Sequence, residues 1–472
     1  MAVTPVAGKL PVRTKLAYGL GTVAFGIKDQ GFNTFLMLYY NQIIGLPAAW
    51  VGTAIMIAMI VDAVADPLIG HFSDHFRSRW GRRHPFMYAS AIPLAVGYFL
   101  LWSPPQGSHG FQFAYLLLTS IAVRVAISFY EIPSSALMAE FTSDYDERTS
   151  ISTYRAMFYA VGSVGMSILA LKVFLHPTAD QPLGQLNAAG YTTYGAVAAV
   201  LMFLTVLTSA RGTHNRISTL HFNQDAGRFD LKGLLGGLKA IVFDRTYASV
   251  LLCTLFFGVA GGFAVTLGVY VATYFWRLTS ADLSVIAGAT VLGVILALLV
   301  VHLSKKLGKK PTALVLYTVA LLAATIPVVL GLMKEMPTGH SALLTILVLK
   351  DVLLIMCILA AIILSSSMVA DVADYFQLKS GQQMEGLMFS ALVMVSKMVS
   401  GMGIFLSGIV LSSINFPDKA SSESVDPGIV TQLVWAYVVG MGGLCALAII
   451  ALSFYPITRA SHERILRELQ AH

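Results

Sequence analysis

Apolar runs of about twenty residues alternate along the chain with short polar breaks, and twenty residues is the length an α-helix needs to cross bilayer hydrocarbon. Twelve such runs are predicted as helices: residues 16–41, 48–74, 85–102, 113–139, 149–175, 189–210, 247–276, 283–307, 312–332, 342–370, 386–411 and 430–455. The longest polar interruption, 211–245, falls after the sixth run. Within it Leu231, Leu234, Leu235, Leu238, Ile241 and Val242, with Lys232 and Lys239 between them, have the spacing of an amphipathic helix lying on a membrane surface. The expected architecture is an all-α membrane protein: an N-terminal six-helix bundle over 1–210, a linker over 211–245, and a second six-helix bundle with a tail over 246–472.

Composition agrees with that class. The 472 residues are 56% hydrophobic and only 12% charged, about half the charge fraction of a soluble domain. The formal net charge of +7 is a topology signal and not a nucleic-acid footprint, because lysine and arginine crowd into alternate connections. Lys9, Arg13 and Lys15, the loop Arg77 to Arg83, the stretch Arg211 to Arg245, Lys305 to Lys310 and the tail with Arg459, Arg464 and Arg467 fall on one side. The other side holds Arg277, Lys334 and Lys419, so the positive-inside rule puts both termini in the cytoplasm of a multi-pass cell-membrane protein. The first helix is expected to serve as its own targeting signal. Cys253, Cys357 and Cys445 lie in apolar segments without metal-ligand spacing and are expected to pack as small hydrophobes.

Two carboxylates break the apolar pattern where it should be purest. Asp62 and Asp66 lie in the second run, and an ionised carboxylate at mid-membrane costs roughly 2.5–3.5 kcal/mol on insertion scales. Residues four apart are about 40° apart around a helix, so both acids share a face and can converge on one cation. Further intramembrane charges are Lys28 and Asp29 in run one, Arg124 and Glu131 in run four, Arg155 in run five, Lys350 and Asp351 in run ten, and Lys397 in run eleven. Such groups either bind something or pair statically with one another, the latter being an even alternative for Lys350 and Asp351. Arg124, about 20° off the face of Glu131, is either that acid's internal counter-ion or a ligand contact. A carboxylate and a guanidinium, Glu131 and Arg155, suit a polyhydroxylated ligand, since each can make two parallel hydrogen bonds to adjacent hydroxyls. Tyr130, Tyr154 and Phe158 could stack on a sugar face, although most membrane aromatics serve packing.

The halves also echo each other. Leu137-Met138-Ala139-Glu140 leads to Asp144-Tyr145, and Met368-Val369-Ala370-Asp371 leads to Asp374-Tyr375. Trp80-Gly81-Arg82-Arg83 has its counterpart in Leu307-Gly308-Lys309-Lys310. The coincidences point to a duplicated six-helix unit, as in many transporters, with the substrate near the midplane.

Asp62-Ala-Val-Ala-Asp66-Pro67, Gly70-His-Phe-Ser-Asp74 and the arginine-rich loop to Phe86, with Tyr130-Glu131-Ile132-Pro133, Arg155, Met368-Val-Ala-Asp371-Val-Ala-Asp374-Tyr375, Glu385 and Lys397, resemble the glycoside–pentoside–hexuronide:cation symporters, the melibiose permease-like branch of the major facilitator superfamily. The likeness spans the chain. It implies cation binding by Asp62, Asp66 and Ser128, and sugar contacts from Glu131 and Arg155. Lys397 would help couple the two ligands, with a static salt bridge as the alternative. Asp74, Arg82, Arg83, Glu140, Asp144, Arg148, Asp371, Asp374 and Glu385 are similar to the family's gating groups, for which a merely solvated set of charges is the alternative.

Departures from the family pattern carry information of their own. Its helix-one aspartate falls on Gly26, with Asp29 three residues later; a helix-four tryptophan is replaced by Ser135, which widens the cavity; and the sodium-coordinating asparagine is Ala65. Losing that oxygen tilts the coupling ion from Na+ toward H+, since a hard cation wants several oxygen ligands whereas a proton needs one carboxylate. Should Na+ be the ion, Asp62 and Asp66 would be its metal ligands. The expected function is secondary active import of a sugar or glycoside with H+ or Na+ by alternating access, by a monomer without cofactors. A lysolipid or other amphiphile symporter of the same fold is the runner-up, and a nontransporting membrane sensor a remote third. No nucleophile–base arrangement, metal spacing or phosphate loop suggests an enzyme.

Overall fold

The computed structural model describes residues 10–142, 144–179, 181–217, 244–380, 385–420 and 425–471. The described residues form helices and no strand, as expected where the surrounding solvent offers the backbone no hydrogen bonds. The long helices are α1 (12–44), α2 (Ala48–His75), α3 (His84–Leu101), α4 (His109–Phe141), α5 (145–174), α6 (Ala188–His214), α7 (245–275), α8 (Ser280–Leu307), α9 (Lys309–Leu332), α10 (His340–Ser380), α11 (Glu385–Ser413) and α12 (Pro427–Ser453), followed by a short α13 (Arg459–Ala471). Eleven of these stretches are long and apolar enough to cross a membrane. The twelfth, α1, is interrupted by a turn at Gly21 and Thr22 and by two π-helical turns, which divide it into short pieces.

Polar starts define the ends. Asp144 accepts from the Glu147 amide at 2.8 Å at the start of α5, and Asp244 accepts from the Thr246 amide at 3.0 Å at the start of α7. At α8, Thr279 and Asp282 bond reciprocally, amide to carboxylate at 2.9 Å and amide to hydroxyl at 3.2 Å. One boundary differs from the sequence reading. α10 continues to Ser380 instead of ending at 370, because nothing from Asp371 to Ser380 is Gly or Pro, so polarity ends the apolar run without ending the helix. Asp371 and Asp374 therefore stand on a helix and not in a loop. The proposed amphipathic linker helix lies outside the described residues.

The chain forms two compact units: one holds α1 to α6, the other α7 to α13 apart from short segments at 278–284, which takes in the first turn of α8, and at 418–420, both of which belong to the first. In the first unit α2 and α3 pack on α4, α3 packs on α6, and α1 packs on α5 and α6. In the second, α9 packs on α10 and α12, and α7 on α11 and α12, so the pairing recurs six helices later. An aromatic core anchors the first unit, with Trp102 stacked on Tyr191 at 5.7 Å and the hydroxyls of Tyr98 and Tyr194 2.9 Å apart. Cys253, Cys357 and Cys445 are free and buried.

The α1–α5 crossing sets the geometry of the site. A Cβ added to Gly26 would lie 2.2 Å from the Tyr159 carbonyl oxygen, and one added to Gly162 would lie 2.3 Å from that of Val23. The two backbones touch through glycines, as small residues permit in membrane helices. No side chain fits at 26, which explains why an acid in this helix has to stand elsewhere.

Candidate functional site

The helix-two acids meet a built environment on α4. Arg124 and Ser128, one turn apart on α4, both reach Asp62 on α2: the hydroxyl donates to Oδ1 at 2.8 Å and the guanidinium Nη1 to Oδ2 at 3.3 Å. Asp62 is 4% exposed and Arg124 5%, with the guanidinium 4.6 Å above the Phe32 ring. Two of the three expected cation-site residues, Asp62 and Ser128, thus come together. Asp66 follows one turn along α2, half-buried. Arg124 differs from expectation: its short-range ion-pair partner is Asp62, an acid that neither alternative of the sequence reading named. The cause is the tight α2–α4 packing, which sets Arg124 opposite the nearest buried carboxylate.

A second polar group lies along α1, α4 and α5. Arg155 on α5 donates to the Tyr18 hydroxyl at 2.6 Å and to Ser135 Oγ at 2.9 Å. Glu131, half-buried, stands one turn before Ser135 on α4. One turn after Arg155, the Tyr159 hydroxyl donates to Asp29 at 3.1 Å, while Lys28 pairs with the same carboxylate at 2.8 Å. Tyr159 escaped the sequence reading, although its i+4 spacing from Arg155 puts both on one helix face. Tyr130 does not join them. It is fully buried, packs on Phe25 at 5.8 Å and donates to Ser209 at 2.6 Å, so the expected sugar-stacking role gives way to core packing.

Asp29, Glu131, Ser135, Arg155 and Tyr159 are all partly exposed, Asp29 by 34% of its side chain and Tyr159 by 39%. Charges within membrane spans almost always face a bundle interior or a watery cavity, or pair with one another. In the second unit Lys350 pairs with Asp351 at 3.1 Å on α10, the static reading offered for them, and Lys397 on α11 is half-buried.

The expected gating residues form a clasp inside each unit. In the first, Arg83 bonds Asp74 at 2.6 Å and Glu140 at 3.1 Å, and Arg82 adds 2.7 Å to Glu140. In the second, Lys309 bonds Asp371 at 2.6 Å, and His462 on α13 lies 3.0 Å from Asp374 and 3.5 Å from Asp371. The echoed motifs therefore perform equivalent work, basic residues after a positive-φ glycine (Gly81, +73°; Gly308, +92°) meeting an acid on the fourth helix of each half. His462 was not foreseen, since nothing in a tail sequence says which helix it folds onto. Asp144 caps α5, and Arg148 donates to the Thr142 carbonyl at 2.8 Å, so both are engaged in local geometry. The side chain of Glu385 lies outside the described residues.

Among the described residues, eleven helices long and apolar enough to cross a membrane, together with the interrupted α1, fall into two compact units with paired charges buried inside them, the build of the major facilitator fold. A family model described as MFS/sugar transport protein matches residues 17–459, and the chain belongs to that family. Among relatives, an isoprimeverose transporter of Lactiplantibacillus pentosus is 26% identical over 465 residues, covering 98% of this chain and 92% of that protein. An uncharacterized symporter of Synechocystis sp. is 27% identical, with 98% of each covered. A sodium-dependent lysophosphatidylcholine symporter of Gallus gallus is 23% identical, covering 98% and 90%. Among solved structures, the xylose transporter XylE of E. coli, in an inward-open conformation, superposes with a TM-score of 0.64 at 12% identity, covering 97% and 98%, a likeness of fold. The glycoside–pentoside–hexuronide symporter resemblance read from the motifs agrees with these findings.

Proposed function

We propose that the chain imports a sugar or glycoside together with a cation by alternating access across a cell membrane, with both termini in the cytoplasm. The observation that carries this reading is the partly exposed polar face of Asp29, Glu131, Ser135, Arg155 and Tyr159. Its carboxylates accept and its guanidinium donates in pairs, the pattern that vicinal hydroxyls match. An acyl chain has no use for such a face, which sets the amphiphile reading second. Asp62 with Asp66 is the proposed seat of coupling. Neutralising Asp66 during the cycle would favour the state with an ordered sugar site, and by reciprocity sugar would favour ion binding. The clasps at Asp74, Arg83 and Glu140 and at Lys309 and Asp371 are proposed to keep each unit's loops in register while the units move.

Uptake into proteoliposomes tests the proposal, with a panel of labelled sugars under imposed sodium or proton gradients. Accumulation of one sugar class, reduced to exchange without accumulation in Asp66→Asn, is the expected result. Undiminished gradient-driven accumulation in both Asp62→Asn and Asp66→Asn removes the coupling assignment. Lysolipid uptake without sugar uptake replaces the substrate.

A further inference from the structure

We infer that Arg124 is a tethered cation occupying the seat that a coupling sodium ion would need at Asp62, so that transport neither binds nor requires Na+. The inference rests on the cation-coupled reading above and adds to it which ion is refused and which residue refuses it. A hard cation such as sodium requires several oxygen ligands around it. At Asp62 one oxygen already accepts the Ser128 hydroxyl at 2.8 Å, and the other faces Arg124 Nη1 at 3.3 Å. Between the two acids stands Ala65, which carries no side-chain oxygen. A sodium ion entering there would meet a guanidinium where it needs a ligand.

The arginine is built in. Its side chain is almost wholly buried, its charge faces the Phe32 ring at 4.6 Å, and it stands one turn from Ser128 on the same helix. Both sides of the pair are desolvated, so removing Arg124 leaves an uncompensated buried carboxylate that must find another positive partner. The ion pair thus does permanently, from within the chain, what a diffusible sodium ion would do intermittently.

The test uses the full-length purified protein and four forms of it: wild type, Ala65→Asn, Arg124→Ser, and the double variant. Radioactive sodium binding is measured without sugar, and sugar counterflow is measured with sodium exchanged for choline. Wild type is expected to bind no sodium and to exchange sugar equally in both salts. Ala65→Asn restores an oxygen but leaves the tethered charge, and is expected to stay sodium-insensitive. The double variant, with the charge removed and oxygens available, is expected to gain sodium stimulation of about tenfold, within the usual range of ligand coupling. Saturable sodium binding by wild type, or sodium stimulation in Ala65→Asn alone, overturns the inference, and both readings survive any misfolding of the arginine variants. Failure of sugar counterflow in every salt would count against the substrate reading, while sodium binding still decides the role of Arg124.

Discussion

Buried charges in this protein are paired at short range, and the pairs differ in what they reveal about themselves in sequence. Lys15 and Glu147, 2.9 Å apart and both buried, tie α1 to α5, and Glu147 also accepts the Leu10 amide at 2.6 Å. Removing one member leaves the other unpaired in a poorly solvated place, so Glu147→Gln should lower stability by about 3–5 kcal/mol. The double variant Lys15→Met with Glu147→Gln should recover much of that loss. Thermal melting in detergent compares them, and equal melting of single and double variants would contradict the pairing. No sequence pattern pointed to this pair, because 132 positions separate its members and only the fold brings them together. Asp62 and Arg155 were legible as individual residues because charge within apolar runs is conspicuous, and Ser128 was named only through the family resemblance. Which of them touch was not legible, and Arg124 shows why: Glu131 on its own helix was visible as a possible partner, whereas Asp62, the acid it bonds, lies on another helix.

At the level of elements, hydrophobic run length gave the existence and order of the twelve helices, while their ends depended on caps and on the absence of breakers. α10 outran its apolar stretch by ten residues, from 370 to 380, since leaving hydrocarbon does not by itself stop a helix. The α1–α5 crossing was equally unreadable: Gly26 was noticed as a missing acid, but its reason, contact with the Tyr159 carbonyl, belongs to the packed pair. Gly26→Ala should therefore cost about 1–3 kcal/mol, as overpacked sites do, and Gly162→Ala a similar amount. Gly165→Ala, on the same helix with open space around its Cβ, is the control and should be nearly silent. A melting series of the three in one detergent tests the ordering, and a strongly destabilised Gly165→Ala would sink it.

For the molecule as a whole, duplication was legible because it left matching short motifs, and the structure gives those motifs matching geometry. Gly308 has φ +92° and ψ +149°, a region nearly reserved for glycine, and Gly81 has φ +73° at the corresponding corner. Alanine at either position should cost about 1–3 kcal/mol of backbone strain. Because each glycine presents the basic residues of its own clasp, Gly81→Ala and Gly308→Ala should also slow gradient-driven uptake to comparable degrees. A large effect at one with none at the other, in parallel flux and melting assays, would mean that the two halves have diverged in use. The substrate itself was not legible, since groups that match hydroxyls specify a chemistry and no particular ligand.

The glycine-to-glycine contact of α1 with α5 has a consequence for how turnover can be watched. Two backbones that interlock without intervening side chains cannot slide or splay cheaply, so Asp29, Arg155 and Tyr159 are carried on one stiff plate. Nitroxide labels at exposed Val12 on α1 and Met157 on α5 should give a single, narrow separation by pulsed dipolar spectroscopy, unchanged between sugar-free and sugar-saturated samples. A broadened or ligand-shifted distribution would show that the plate bends.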